Sequence, residues 1–154
     1  MWGCGEIHKI LVFVFFLTSF FPPSLKASCS DYLFIDHEFR ALVKIADKNK
    51  KRREAVMRSK KEEREALVKE HLFAAVRYEQ EKINIYISML DKILKRNWPY
   101  STTAHEIKKR LLKSIASFNH IQISLVEAYG TDPVPLQLIM SPEVSRFIYS
   151  NEAL

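Results

Sequence analysis

"NWPYSTTAHE", residues 97–106, is the stretch on which the fold turns. The ring of Pro99 disfavours helical geometry at Trp98, so a helix arriving from the N-terminal side stops here. Thr103, as N-cap, and Glu106 three residues on then form a capping box, each side chain satisfying the other's free backbone N–H. A stop and a start this close together leave room only for a tight reversal. Two helices joined in this way lie side by side, antiparallel.

Both flanks carry the matching pattern. Upstream, over residues 69–96, Leu72, Val76, Ile83, Ile87, Leu90 and Leu94 form one stripe, widened by Ala75, Tyr86 and Ile93. Downstream, Ile107, Leu111, Ile115, Phe118, Leu125 and Tyr129 recur at three- to four-residue steps. Ile121 adjoins that stripe, and Gln122 is its one polar break. Gly130 supplies the stop, so a helical hairpin spans 69–130. "TDPVP" is a stiff turn. "SPEVSRFIY" follows with Ser141 as cap, Pro142 in the first helical position and Glu143 behind it, a short last helix over 141–150.

Upstream of the hairpin nothing breaks a helix, because no Gly or Pro lies between Pro23 and Pro99. With Asp36 as N-cap, the spacing predicts a charged arm over 36–68 that continues straight into the hairpin. A seven-residue seam traced from Phe39 runs through Val43, Ala46, Lys50, Arg53, Met57, Lys60 and Arg64 to Leu67. Four charges in a seam are costly to bury, so the arm reads as a solvated rod. Acid-before-base pairs at Asp47–Lys51, Glu54–Arg58 and Glu65–Lys69 support it locally, each by a few tenths of a kcal/mol. Its interrupted apolar row predicts self-association or a partner helix around residues 39–57. The expected class is all-α: a long charged N-terminal helix continuing into an antiparallel helical hairpin, plus a short C-terminal helix.

Composition agrees. A chain of 154 residues with three Gly, six Pro and 27% charged residues builds one helical core, placed here as a single domain over 28–154. Before it stands "ILVFVFFLTSFF", residues 10–21, closed by Pro22 and Pro23. Crossing a bilayer takes about 20 apolar residues, so 1–27 reads as a signal peptide cut after "SLKA". The expected location is therefore secreted or periplasmic. The alternative is an uncleaved signal-anchor holding the chain at a membrane. Cys4 leaves with a cleaved segment, and Cys29 remains for lipidation, an intermolecular disulfide or a free thiol.

Catalytic and metal patterns are missing. His37, His71, His105 and His120 are scattered singly, with neither an H-E-x-x-H arrangement nor a Cys pair. No G-x-S-x-G, P-loop or dinucleotide fingerprint is present, so neither an enzyme nor a cofactor is expected. What stands out is charge. Lys48, Lys50, Lys51, Arg52, Arg53, Arg58, Lys60 and Lys61 face a single acid, Glu54, in a chain of net charge +6.

Three roles follow for that cluster. The first is an exported, non-enzymatic helical interaction protein, structural, assembly or chaperone-like, whose basic arm meets a protein partner or an acidic surface. The second is a membrane-anchored helical protein whose arm touches anionic lipid or a membrane complex. The third is a nucleic-acid-binding protein, opposed by the export segment and by the lack of aromatic residues inside "KNKKRR" for stacking on bases. In outline the architecture resembles periplasmic holdase chaperones with basic helical arms and minor subunits of secretion or conjugation machines. No motif carries that likeness.

Overall fold

A computed structural model describes residues 29–96 and 101–150, with side chains from Phe34 onward. The signal peptide expected over 1–27 and the turn expected at Trp98 and Tyr100 lie outside the described residues. Among the described residues the regular structure is four helices: α1 (Cys29–Arg58), α2 (Lys61–Leu94), α3 (Thr102–Tyr129) and α4 (Pro142–Tyr149). The class is all-α, as the periodicity predicts.

The α2–α3 hairpin forms from the stripes read in the sequence. Ile83, Met89, Leu90 and Leu111 are fully buried, and Val76, Ile93, Ile107, Phe118 and Leu125 nearly so. Each such side chain contributes about 1.5–3 kcal/mol by leaving water. α3 ends at Gly130, whose φ of 61° is the left-handed geometry that glycine adopts at low cost. Its start differs from the capping box predicted for Thr103 and Glu106. Ser101 is the N-cap, and its hydroxyl accepts from the Ala104 N–H at 3.4 Å. Thr103 is buried inside the first turn, and Glu106 pairs with Arg110 one turn on, at 3.0 Å. The earlier hydroxyl wins the cap because it leaves Thr103 and Ala104 free to be buried.

The charged N-terminal helix does not run on into the hairpin. It ends at Arg58, and the chain reverses at Ser59 and Lys60 so that α1 lies antiparallel along α2. Neither Gly nor Pro makes this break. The Ser59 hydroxyl donates to the Val56 carbonyl at 2.7 Å, and the Ser59 N–H donates to the same oxygen at 3.3 Å. That oxygen is the acceptor the Lys60 N–H needs to continue the helix, and Lys60 instead turns extended, with ψ of 157°. Arg64 braces the turn by donating to the Ser59 carbonyl at 3.0 Å.

The folding back also moves the seam. Phe39 packs partly buried against the core, and Ile35, Glu38, Leu42, Ile45, Asn49 and Val56 are the covered positions that recur in step along α1, whereas Val43 is 48% and Met57 77% exposed. With Arg52, these residues keep alternating three- and four-residue steps in a register different from the one traced from Phe39. Lys50, Arg53, Lys60 and Arg64 therefore all face water. α2 of the same chain covers one face of α1 along this stretch. Asp36 is an interior helical residue paired with Arg40 at 2.6 Å, not an N-cap, because helix already precedes it.

At the end of α1 away from the reversal, Glu38 is buried where it meets α2. It accepts from Ser88 at 3.1 Å and from Lys92 at 2.5 Å. Burial pushes this carboxyl up, but Lys92, the Glu38 backbone and Ser88 outweigh it and hold the group below the ordinary carboxylate value. Close by, the Arg96 guanidinium stacks 3.1 Å from the centre of the Phe34 ring.

After Gly130 the chain runs as an extended strap over α3 and α2. Leu136, Leu138 and Met140 turn onto the core, while Pro135, Gln137 and Ile139 alternate outward. Two glutamines hold it. The Gln122 amide donates to the Val134 carbonyl at 2.6 Å and accepts from the Val134 N–H at 3.2 Å. Gln80 does the same for Gln137, at 2.8 and 3.1 Å. The strap delivers α4, capped by Ser141 as predicted, onto α2, with Val144 and Ile148 buried and Tyr149 exposed. Lys108 of α3 closes the far end by donating to the carbonyls of Phe147 and Ser150 at 2.7 and 3.0 Å.

Candidate functional site

The basic cluster occupies the reversal between α1 and α2. Lys69 lies over the Tyr129 ring at 5.3 Å, marking where α3 ends alongside α2. Residues 61–68 of α2, and the stretch of α1 that faces them, stand beyond that level by about 12 Å at 1.5 Å per residue. The result is a two-helix finger. Arg58, Lys60 and Lys61 are exposed on it, and Lys48, Lys50, Lys51, Arg52 and Arg53 are exposed on α1 behind it.

The reversal brings Arg58, Lys60 and Lys61 together at the tip. Arg52 and Arg53 sit further back, near His71 of α2. Lys50 and Lys51 diverge, since neighbours on a helix are turned by about 100°. The arrangement is thus a collar of cations with a three-residue crown. Over residues 47–65, nine Lys and Arg stand against five Asp and Glu, leaving +4. Of the three predicted acid–base pairs, Glu54–Arg58 closes at 3.8 Å between largely exposed groups, and Lys69 turns to Tyr129. A pair of that kind contributes under about 1 kcal/mol and leaves the field of the tip positive.

His71 registers this field. It is half-buried, and burial first, then the charges of Arg52 and Arg53, lower its pKa below the ordinary histidine value. Its Nδ1 is buried without a hydrogen-bond partner. Two further ionisable groups are structural. Glu79 is buried with Lys82 at 2.9 Å, and Tyr86 is raised by burial against the opposing charge and hydrogen bond of Arg110.

Among the described residues no group of three or more His, Cys, Asp or Glu is placed to hold a metal ion. No helix among them is long and apolar enough to cross a membrane. Cys29 is helical in its backbone, and its side chain lies outside the described residues.

Sequence reading did not single out the residues that organise the strap, Gln80 and Gln122. The polar break that Gln122 makes in an apolar stripe is the signal that points to one of them. Gln80 sits among Glu, Asn and Lys and carries no such mark. Compared with known protein families, with curated proteins and with solved structures, the chain finds no match.

Proposed function

We propose that this is an exported, non-enzymatic helical interaction protein whose basic finger docks on an acidic surface of another envelope or extracellular protein. The observation that carries the reading is the placement of the cations. Eight exposed basic side chains gather around the α1–α2 reversal, with Arg58, Lys60 and Lys61 beyond the last turn of α3 and the other five on α1 behind them, and none is needed to cover the core. Such a field attracts an acidic partner and raises its rate of encounter. Export rests on the apolar block at 10–21 and the proline pair behind it.

The membrane reading requires α1 to lie along the bilayer. α1 has 30 residues, so an anchor or acyl group at its start stands about 45 Å from the tip. The field of an anionic bilayer fades over about 8 Å at physiological ionic strength, so a finger held upright does not feel it.

Two measurements test the proposal. Sequencing the mature N-terminus from each cell fraction should give Ser28 or Cys29 in a soluble exported fraction; an intact Met1 in membranes overturns export. A photoreactive residue placed at Arg58 should then cross-link one acidic protein, and the product should vanish when Arg52, Arg53, Lys60 and Lys61 are neutralised. Salt-sensitive binding of the same tip to duplex DNA or to phosphatidylglycerol vesicles, without a protein cross-link, favours the other two readings.

A further inference from the structure

α3 has a second apolar face that α2 does not cover. Leu112, Ile123 and Val126 are 46%, 54% and 40% exposed, and Ala116 and Asn119 are exposed between them. Leu112, Ala116, Asn119, Ile123 and Val126 follow steps of four, three, four and three, the spacing of a coiled-coil seam. The side buried on the hairpin runs through Ala104, Ile107, Leu111, Ser114, Phe118, Gln122 and Leu125, so the exposed seam is turned about 100° from it around the helix. α4 meets α3 ahead of the seam, at His105 and Lys108, and the strap meets it at Gln122 on the buried side.

We propose that this face pairs with the same face of a second copy of the chain, in the antiparallel sense. The seam is complementary to its own reversed copy. With Asn119 near the two-fold axis, small Ala116 comes opposite the larger Ile123, and Leu112 opposite Val126. Charge decides the direction. Lys109 and Lys113 flank the N-terminal half of the face and Glu127 flanks the C-terminal half, all exposed. Antiparallel pairing sets Lys113 beside Glu127 of the copy, twice over, whereas in a parallel pair these residues lie on opposite sides of the seam from their copies and gain no such pair. A single polar Asn in such a seam favours one register and lowers affinity, and so short a contact is at the small end for protein interfaces. The dimer is therefore weak and reversible, and the finger, at the turn between α1 and α2, stays outside it. Two copies then carry two basic tips.

Sedimentation of the full chain, with Cys4 and Cys29 replaced by serine, tests the pairing over a wide concentration range. A monomer–dimer equilibrium is expected, with Ile123→Glu weakening it about tenfold or more while the melting profile stays that of the parent. Lys113→Glu and Glu127→Lys should each weaken it, and the double exchange should restore it. A chain that stays monomeric throughout overturns the proposal. So does a dimer indifferent to Ile123→Glu, which locates association elsewhere, for example in the block at 10–21. A double exchange no better than the singles excludes the antiparallel sense. None of these outcomes depends on what the basic tip binds.

Discussion

His71 and Gln122 show how single side chains link the surface of this molecule to its core. The fold lowers the His71 pKa through burial and through Arg52 and Arg53, so it favours the neutral ring. As pH falls below about 6.5 the unfolded chain takes up a proton that the folded chain resists, and stability is lost until the folded pKa is passed. His71→Gln should flatten that part of the pH–stability curve. Replacing Arg52 and Arg53 with glutamine should move the histidine titration, followed by NMR, back toward its ordinary value. Gln122 is a different case. It is buried and satisfies both polar groups of Val134, so Gln122→Leu leaves a backbone N–H and C=O without partners and should cost about 2 kcal/mol in urea unfolding. Gln80→Leu removes the equivalent pair in a half-exposed place where water can substitute, and should cost under about 1 kcal/mol.

Among the elements, α1 is where the periodicity was legible and its register was not. Phe39, Val43 and Ala46 make an acceptable start to a seam, and only contact with α2 keeps Phe39 partly buried, leaves Val43 and Ala46 in water and selects Ile35, Glu38, Leu42, Ile45 and Asn49. The chosen frame includes Glu38, a residue that sequence reasoning places in water. Lys92 and Ser88 make its burial tolerable, and both lie some 50 residues away along the chain. Substitution separates the two frames. Leu42→Glu should destabilise by about 2 kcal/mol, since it buries a charge without a partner, while Val43→Glu next to it should stay within about 0.5 kcal/mol. Equal effects at both positions would mean that α1 does not pack on α2 by this face. The end of α1 was hidden for a similar reason. Nothing in "RSKK" is a conventional breaker, and the stop depends on a serine hydroxyl taking one carbonyl.

For the molecule as a whole, the proposed role of the finger separates binding from stability. Because its cations are exposed and cover no core, changing Lys60 and Lys61 to glutamine should leave the unfolding free energy within about 0.5 kcal/mol of the parent while removing salt-sensitive association with an acidic partner. A large loss of stability in that variant would show that the tip is part of the packing. The α3 face, in contrast, has both the exposure and the self-complementary charge of a contact between copies.

The sequence by itself determined the helices, the hairpin between residues 69 and 130, the Ser141–Pro142 start of α4 and the positive charge of one segment. These follow from local chemistry: periodicity, caps, proline and glycine, each acting within a few residues. Only the tertiary structure decided that the charged helix folds back, that Glu38 and Gln122 are buried, and that the cations form a tip instead of a rod. Each of these depends on a partner distant in sequence, whose apolar face or hydrogen-bonding group makes the arrangement favourable, and local pattern carries no information about such a partner.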